Sequence, residues 1–272
     1  MSHWDKQAIH WDQITEPLRP STMDIQVLTQ WIYRYYQTNY RPLTVLLLGV
    51  TPEIVNISWP EKTKLLTVDQ NMDMIKLIFR KQSRHVKSIA IAAHWLHLPF
   101  QPSSFDLIVG DGCYNLLAFS EYKMLTHSIQ SLLRQNGLFI FRFFLRPDLN
   151  ASLEKLKNDV TQLQIKNFST FKLRLLIALH DDIQQGVSLK NTWNCWNLQF
   201  KTIIHHLKDK LQWTEESINV INHYKNQNAF YTFPSLHEVK QHLNQYLNEQ
   251  EIFTPPDQLS VCCPTFVFSK QK

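Results

Sequence analysis

The chain has 272 residues, of which 44% are apolar, and it contains 16 Phe and 8 Trp. This composition can bury a substantial core, which argues against disorder over most of the length. The 28 Lys and Arg exceed the 23 Asp and Glu, giving a formal charge of +5. These basic residues are scattered, so a focused nucleic-acid-binding face is not indicated.

No apolar stretch approaches the roughly 20 residues needed to span a bilayer, and residues 1–6 lack the pattern of a secretory signal. We therefore expect a cytoplasmic protein with no membrane or nucleic-acid partner, while its oligomeric state is left open. Neither zinc-site spacing nor a disulfide framework is found among Cys113, Cys195, Cys262 and Cys263. We expect these cysteines to be reduced and mostly packed, and we expect no metal site.

Two prolines, Pro17 and Pro20, interrupt any helix near the start of the chain. Ser21 can then cap a helix, because apolar residues recur at helical spacing after it. These residues are Ile25, Leu28, Trp31, Ile32, Tyr35 and Tyr36. The pattern predicts a helix that packs on the core that follows.

Residues 43–49 form a continuous apolar run, which is typical of a central parallel strand covered on both faces. A second such run spans 64–69 and ends in Asp69. Between them, Thr51-Pro52-Glu53 predicts a helix start, with Thr51 as the cap. Asn71 is the expected cap of another helix, whose Met72, Ile75 and Phe79 fall near one face.

Further strands are predicted at 88–93, 105–109 and 138–144, and an amphipathic helix at about 120–134. Gly137 is expected to terminate that helix. Five strands that alternate with helices predict an α/β fold with a doubly wound, mostly parallel sheet.

The pattern changes over residues 147–234, where helical segments carry many Lys, Gln and Asn. The apolar contacts expected here are Phe168, Phe171, Leu173, Leu175, Leu176 and Leu179. We interpret this segment as a helical insertion or lid, and residues 1–146 with 235–272 as the core. Trp193 and Trp196 belong either to a pocket or to the interior of the insertion.

The ending returns to α/β character. Ser235-Leu236-His237-Glu238 has the form of a capping box and opens a helix with Leu236, Val239, Leu243 and Leu247 on one side. Residues 261–269 predict a terminal strand, with Pro264 at a bulge or an edge.

Gly49 follows the first predicted strand, and Asp69 lies twenty positions after it, at the end of the second. In a doubly wound sheet this spacing places a turn and a carboxylate in the same crevice. A carboxylate at that position can accept hydrogen bonds from both hydroxyls of a ribose. The alternative for Asp69 is a helix cap.

With its Gly-Val-Thr-Pro-Glu first loop, the chain resembles class I S-adenosylmethionine-dependent methyltransferases, over about residues 17–145 and again near the end. The resemblance implies a seven-stranded Rossmann-like sheet and S-adenosylmethionine as cofactor. It also implies the cofactor-binding residues Gly49, Val50, Thr51, Asp69, Gln70, His94, Trp95, Asp111 and Gly112. Apart from the resemblance, we expect Arg19 to reach the methionyl carboxylate from the N-terminal segment. Unlike the family, this chain has a single glycine in the first loop, and side chains there limit the approach of a ligand.

Several of these residues have an ordinary alternative. Arg19 can be a solvated side chain, His94 a surface histidine and Trp95 a packing residue, whereas a neutral His94 can accept a hydrogen bond from the adenine amino group. If the acceptor needs a general base, the candidates are His94, Asp111, Tyr114 and His180. The stretch His180-Asp181-Asp182 is expected to be a helix end rather than a group of metal ligands.

We therefore expect an enzyme that transfers a methyl group to a small-molecule acceptor. Such a reaction depends on orientation, which can supply roughly 7–11 kcal/mol, more than on a catalytic triad. The competing hypothesis is a degenerate methyltransferase fold that serves as a partner-binding or regulatory module. A nicotinamide-dependent oxidoreductase is disfavoured, because no GxGxxG follows the first strand.

Overall fold

A computed structural model of the chain describes residues 2–79, 86–147, 152–255 and 262–271. Its centre is a seven-stranded sheet in the order β3-β2-β1-β4-β5-β9-β8, in which β1 to β5 are parallel. β9 runs antiparallel to β5 and to β8. The strands are β1 Thr44–Leu48, β2 Lys64–Asp69, β3 Lys87–Ala92, β4 Phe105–Asp111, β5 Leu133–Arg142, β8 Leu247–Phe253 and β9 Thr265–Lys270. The expected doubly wound, mostly parallel sheet is confirmed.

Helices cover both faces of this sheet. Successive residues of β1 belong to different apolar clusters, with Val45 and Leu47 in one and Leu46 and Leu48 in the other. Because neighbouring residues of a strand point to opposite faces, the sheet is buried on both sides. The helices associated with it are α1 His3–Ile9, α2 Thr22–Asn39, α3 Pro52–Val55, α4 Tyr122–Leu132 and α10 Leu236–Leu243.

The segment between β5 and α10 is mainly helical and packs around an apolar cluster of its own. All six apolar residues expected there are part of this cluster or pack against it. A two-stranded pair, which the sequence did not predict, joins β6 to β7. The elements are α5 Leu153–Thr161, α6 Phe168–Leu179, β6 Val187–Ser188, α7 Leu189–Cys195, α8 Lys201–Leu211, α9 Glu215–Asn219 and β7 Phe230–Tyr231. The domain limits at 147 and 234 stay predictions.

Several helices begin at the predicted residues, whose side chains cap the first turn. Ser21 and Ser235 each form a capping box, with Asp24 and Glu238 respectively. Asn71 accepts a bond from the backbone N–H of Met74 at 2.8 Å, so it caps the helical turn that follows β2. Thr51 stands at the N-cap of α3 but makes no side-chain cap bond, contrary to expectation.

Three expectations near the ends of elements are wrong. The helix expected at about 120–134 ends at Leu132, and Gly137 lies inside β5, which starts at Leu133. Leu247 opens strand β8 rather than continuing α10. The sequence did not predict this strand, because β8 is an edge strand whose exposed polar residues give no apolar pattern. Pro264 directly precedes β9, so it forms no bulge in that strand, and β9 is no edge strand because it pairs with β5 and β8. Val261 lies outside the described residues.

The four cysteines are free and buried, as expected. None of the described helices is long and apolar enough to cross a membrane.

Candidate functional site

A cavity of about 370 Å³ lies at the carboxyl ends of β1, β2 and β4, where Leu48, Asp69 and Asp111 line it. Its volume is within the range of small-molecule pockets, about 300–1,000 Å³. The order of the sheet reverses between β1 and β4, and ligands of doubly wound sheets bind at such a switch point. Residues of α1 and of the segment 172–233 line much of the rest of the cavity, together with residues of the N-terminal segment after α1 and of the turns after β2, β3, β4 and β5.

Gly49, Val50 and Thr51 form the turn after β1 and line the cavity. Gly49 has φ +105°, a conformation that side chains rarely adopt, so glycine is required at this position. Its N–H donates to the carbonyl of Val68 at 2.8 Å, which fixes the turn against the end of β2. α3 then begins at Pro52, where a missing N–H costs nothing.

Asp69 ends β2 and lines the cavity together with the exposed Gln70. Its Oδ1 accepts the backbone N–H of Asn71 at 2.8 Å. No other residue that the structure describes donates a hydrogen bond to this carboxylate. Burial raises the pKa of Asp69 to about 6, against the lowering effect of that bond. The carboxylate therefore has hydrogen-bonding capacity left for a ligand in the cavity.

His94 and Trp95 follow β3 and line the same cavity. The indole Nε1 of Trp95 donates to the carbonyl of Val68 at 2.8 Å, which orients the ring beside Gly49. The Nδ1 of His94 accepts the N–H of Leu96 at 3.2 Å, so a neutral ring carries its proton on Nε2. With Nδ1 occupied, a neutral His94 offers Nε2–H as a donor rather than the acceptor that was expected, and its role in binding a ligand stays a prediction.

Asp111 and Gly112 follow β4, and both line the cavity. The Nε of Arg142 donates to Oδ1 of Asp111 at 2.7 Å. Burial raises the pKa of Asp111, and the neighbouring guanidinium opposes this effect. Gly112 has φ +62°, and a Cβ there would come within 2.7 Å of Phe144. Close packing thus requires glycine at this turn.

The structure does not bring three of the predicted residues to the described lining of the cavity. Arg19 is bonded to Glu53 at 2.5 Å and lies over the ring of Trp11, so its guanidinium already has partners. Tyr114 is buried in the core, where its hydroxyl bonds to Thr126 at 2.8 Å. His180 follows the end of α6 and accepts the N–H of Phe233 at 3.2 Å.

Neither Trp193 nor Trp196 is part of the described cavity lining. Trp196 is buried in the apolar cluster of the helical segment, and Trp193 packs against that cluster. The described residues also contain no group of three or more His, Cys, Asp or Glu side chains positioned to hold a metal ion.

Several lining residues were not predicted, among them His3, Trp4, Lys172, Tyr224 and Tyr231. The first two belong to α1, whose capping box of Ser2 and Asp5 is readable as the pattern Ser-x-x-Asp. Lys172 had a weaker signal, because it is one of two charged residues, with Arg174, in the otherwise mostly apolar α6. Tyr224 ends a short 3-10 helix and Tyr231 lies in the two-residue strand β7, and no sequence pattern places them here.

The chain is an α/β protein with a Rossmann-like sheet and a cavity at its switch point. Solved structures with this fold include a protein of Rhodobacter sphaeroides that is named for the Zn-dependent alcohol dehydrogenases. It has a TM-score of 0.54 and 14% identity, over 98% of each chain. The PH0226 protein from Pyrococcus horikoshii OT3 has a TM-score of 0.51 and 11% identity, over 94% of each chain. At these identities the likeness concerns the fold alone.

The N-methyltransferase NodS from Bradyrhizobium japonicum WM9, in complex with S-adenosyl-L-homocysteine, reaches a TM-score of 0.47 at 11% identity. The match covers 91% of this chain and 87% of that one, and the score is too low to support an argument. No family model and no curated protein matches the sequence.

Proposed function

We propose that the protein transfers the methyl group of S-adenosylmethionine to a small-molecule acceptor. The observation that carries the proposal is the position of Asp69, a half-buried carboxylate with free acceptor capacity at the tip of β2, facing a cavity of about 370 Å³. A carboxylate at this position of a doubly wound sheet is suited to bind the two hydroxyls of a ribose. The Gly-Val-Thr-Pro-Glu loop beside it supplies the resemblance to methyltransferases.

The remaining lining residues fit the parts of such a cofactor. Trp95 offers an aromatic surface and His94 an N–H donor beside the tip of β2, where an adenine ring would need both. The turn at Gly112 lies after β4, on the side of the cavity that a sulfonium and an acceptor would share. The walls from α1 and α6 would exclude water from these reacting groups, and close placement of acceptor and methyl carbon would then supply most of the rate enhancement.

Calorimetric titration with S-adenosylhomocysteine tests the proposal. We expect one-to-one binding to the wild-type protein and affinity about tenfold to a hundredfold weaker in Asp69→Asn, because a bond to a charged acceptor contributes about 1.5–3 kcal/mol. Asp73→Asn is the matched control, since Asp73 lies four residues further along without lining the cavity. Absence of binding, or equal affinity in Asp69→Asn, would contradict the proposal.

The same titration with NADH separates this function from a nicotinamide-dependent oxidation. A carboxylate at the end of the second strand also binds the ribose of NAD, so Asp69 alone does not distinguish the two cofactors. The turn Gly49-Val50-Thr51-Pro52 lacks the glycines that let a backbone approach a pyrophosphate. We expect no measurable binding of NADH at concentrations that saturate the site with S-adenosylhomocysteine.

A further inference from the structure

Lys172 is a buried lysine that makes no ion pair with the residues that the structure describes. It lies near the start of α6, its side chain is 2% exposed, and it lines the cavity. Its ammonium group lies 5.5 Å from the ring centre of Tyr224. Among the residues that the structure describes, no carboxylate or carbonyl pairs with it, although an ammonium can donate three hydrogen bonds.

The described surroundings offer this charge the ring face of Tyr224 but no acid that pairs with it. The acids that line the described part of the cavity are Asp69 and Asp111, and Asp111 is already paired with Arg142. Neither acid influences the pKa of Lys172, which burial alone lowers to about 7. His3 lies close by, with its Nε2 3.0 Å from the hydroxyl of Tyr231. The pKa of His3 is lowered to about 4, mainly by burial and secondly by the charge of Lys172.

An unpaired buried ammonium destabilises a folded protein, because it loses its hydration and gains no partner. An apolar side chain of similar length, such as Met, would fill the same space without this cost. A cation kept in a ligand cavity under these conditions is a signature of a binding function. The ligand that would remove the cost is an anion, whereas a cationic amine would be repelled.

We infer that Lys172 is the counter-ion for an acceptor that carries an anionic oxygen, a carboxylate or an acidic hydroxyl, on an apolar body. This inference rests on the proposed function and narrows its substrate class. The apolar body matches the apolar residues that line the same cavity as Lys172, among them Trp4, Leu173, Leu176, Phe230 and Phe233. Lys172 thus acts as a substrate-binding residue.

Ligand-observed NMR on the full chain saturated with S-adenosylhomocysteine tests this inference. The probes are benzoate, 4-hydroxybenzoate and indole-3-acetate, each compared with its amide, and benzylamine as the cationic probe. We expect the carboxylates to bind at least tenfold more tightly than their amides and benzylamine not to bind. In Lys172→Met this preference should disappear, while affinity for S-adenosylhomocysteine stays unchanged.

Lys190→Met is the matched control, because Lys190 is exposed on α7 and does not line the cavity. It should keep the preference for carboxylates. Equal binding of carboxylates and amides to the wild-type protein, or a preference that survives in Lys172→Met, would overturn the inference and leave the proposed function intact. If S-adenosylhomocysteine fails to bind, the proposed function fails, and the probes then test Lys172 in the free protein.

A second measurement follows the buried charge through thermal unfolding. Unfolded Lys172 keeps its proton up to about pH 10.5, whereas the folded state loses it near pH 7. Between these values the unfolded state binds more protons, so wild-type stability rises with pH relative to Lys172→Met. The advantage of Lys172→Met in melting temperature should therefore be largest below pH 7 and shrink toward pH 10.

The other titratable groups around Lys172 do not interfere with this measurement. His3 and His223 have pKa values lowered to about 4, mainly by burial. Burial raises the pKa of Tyr224 and of Tyr231 above the ordinary value of a phenol, which is itself near pH 10. A difference in melting temperature that does not change between pH 7 and pH 10 would show that Lys172 is not a buried cation and would overturn the inference.

Discussion

Asp69 shows how its surroundings set the chemistry of a single side chain. The sequence places a carboxylate at the end of the second strand, but only the fold shows that it is largely desolvated and bonded to one backbone N–H. Desolvation disfavours the charged form, which is why its pKa rises to about 6. The group therefore changes from acceptor to partial donor within a pH range that experiments can reach.

This titration predicts a pH dependence of cofactor binding. Above pH 6 the ionised carboxylate can accept bonds from both ribose hydroxyls, whereas below pH 6 its own proton must be accommodated. We expect affinity for S-adenosylhomocysteine to be constant from pH 7 upward to pH 8 and to fall as the pH drops from 6 to 5. Calorimetry at these pH values measures the effect, and Asp69→Asn should lack it. The same pH profile in both proteins would assign the titration to another group.

His94 marks a limit of reasoning from sequence at the residue scale. Its type and its position after β3 were readable, but its hydrogen-bonding direction depends on the N–H of Leu96, which occupies Nδ1. The ring therefore offers Nε2–H to a ligand. A turn of different conformation with the same sequence letters would offer an acceptor instead.

At the scale of elements, the turn between β1 and α3 achieves its shape with one glycine. Gly49 takes the positive φ, and two donors, its own N–H and the indole of Trp95, bond to the carbonyl of Val68. Val50 is buried in an apolar cluster beside the sheet and also lines the cavity.

Substitutions of glycine measure how far these turns depend on their conformation. Gly49→Ala should destabilise the protein by about 1–3 kcal/mol, because a side chain is strained at φ +105° while its Cβ would meet Trp95 only at 3.9 Å. Gly112→Ala should cost more, since a Cβ there also collides with Phe144. Urea denaturation gives both free energies of unfolding, and the reverse order would refute the argument.

Whether a helix or strand could be predicted depended on the kind of sequence pattern that marks it. Continuous apolar runs identified the parallel strands well, and the second strand was predicted at its observed bounds, 64–69. Side-chain caps identified α2 and α10 because their bonds are local in sequence. The sequence did not predict β8, because an edge strand can consist of exposed Glu and Gln residues and then shows no periodic apolar pattern.

At the scale of the whole molecule, Arg142 connects parts of the chain that are distant in sequence. Its guanidinium bonds to Asp111 at the tip of β4, to Asp24 in α2, and to the carbonyl of Pro17 in the N-terminal segment. The side chain is buried, as are both carboxylates. This network attaches the N-terminal segment to Asp111, which lines the cavity.

Removal of this buried cation should therefore affect global stability. Arg142→Met leaves two buried carboxylates without their partner, and we expect a loss of about 3–5 kcal/mol in the free energy of unfolding. Arg174→Met is the control, because its pair with Asp159 is partly exposed and should contribute about 1 kcal/mol or less. Denaturant unfolding distinguishes the two, and equal losses would contradict a special role of Arg142.

The candidate site was predictable on one side only. Residues after β1, β2, β3 and β4 were expected together because the ends of parallel strands converge. The opposite wall comes from α1 and from the segment 172–233, which reach the cavity through tertiary packing that no local pattern encodes. The part of the site that the sequence left open is thus the part that would select the acceptor.

The burial of every cysteine has a practical consequence. Burial raises the pKa of all four thiols, to about 12 for Cys113 and about 11 for Cys262, so thiolate is scarce at neutral pH. Maleimide reagents attack the thiolate form, and we expect them to spare the native protein. A cysteine introduced on the surface, for example at Lys190, would then be a unique attachment point for a fluorophore. Wild-type residues would need no replacement before such labelling.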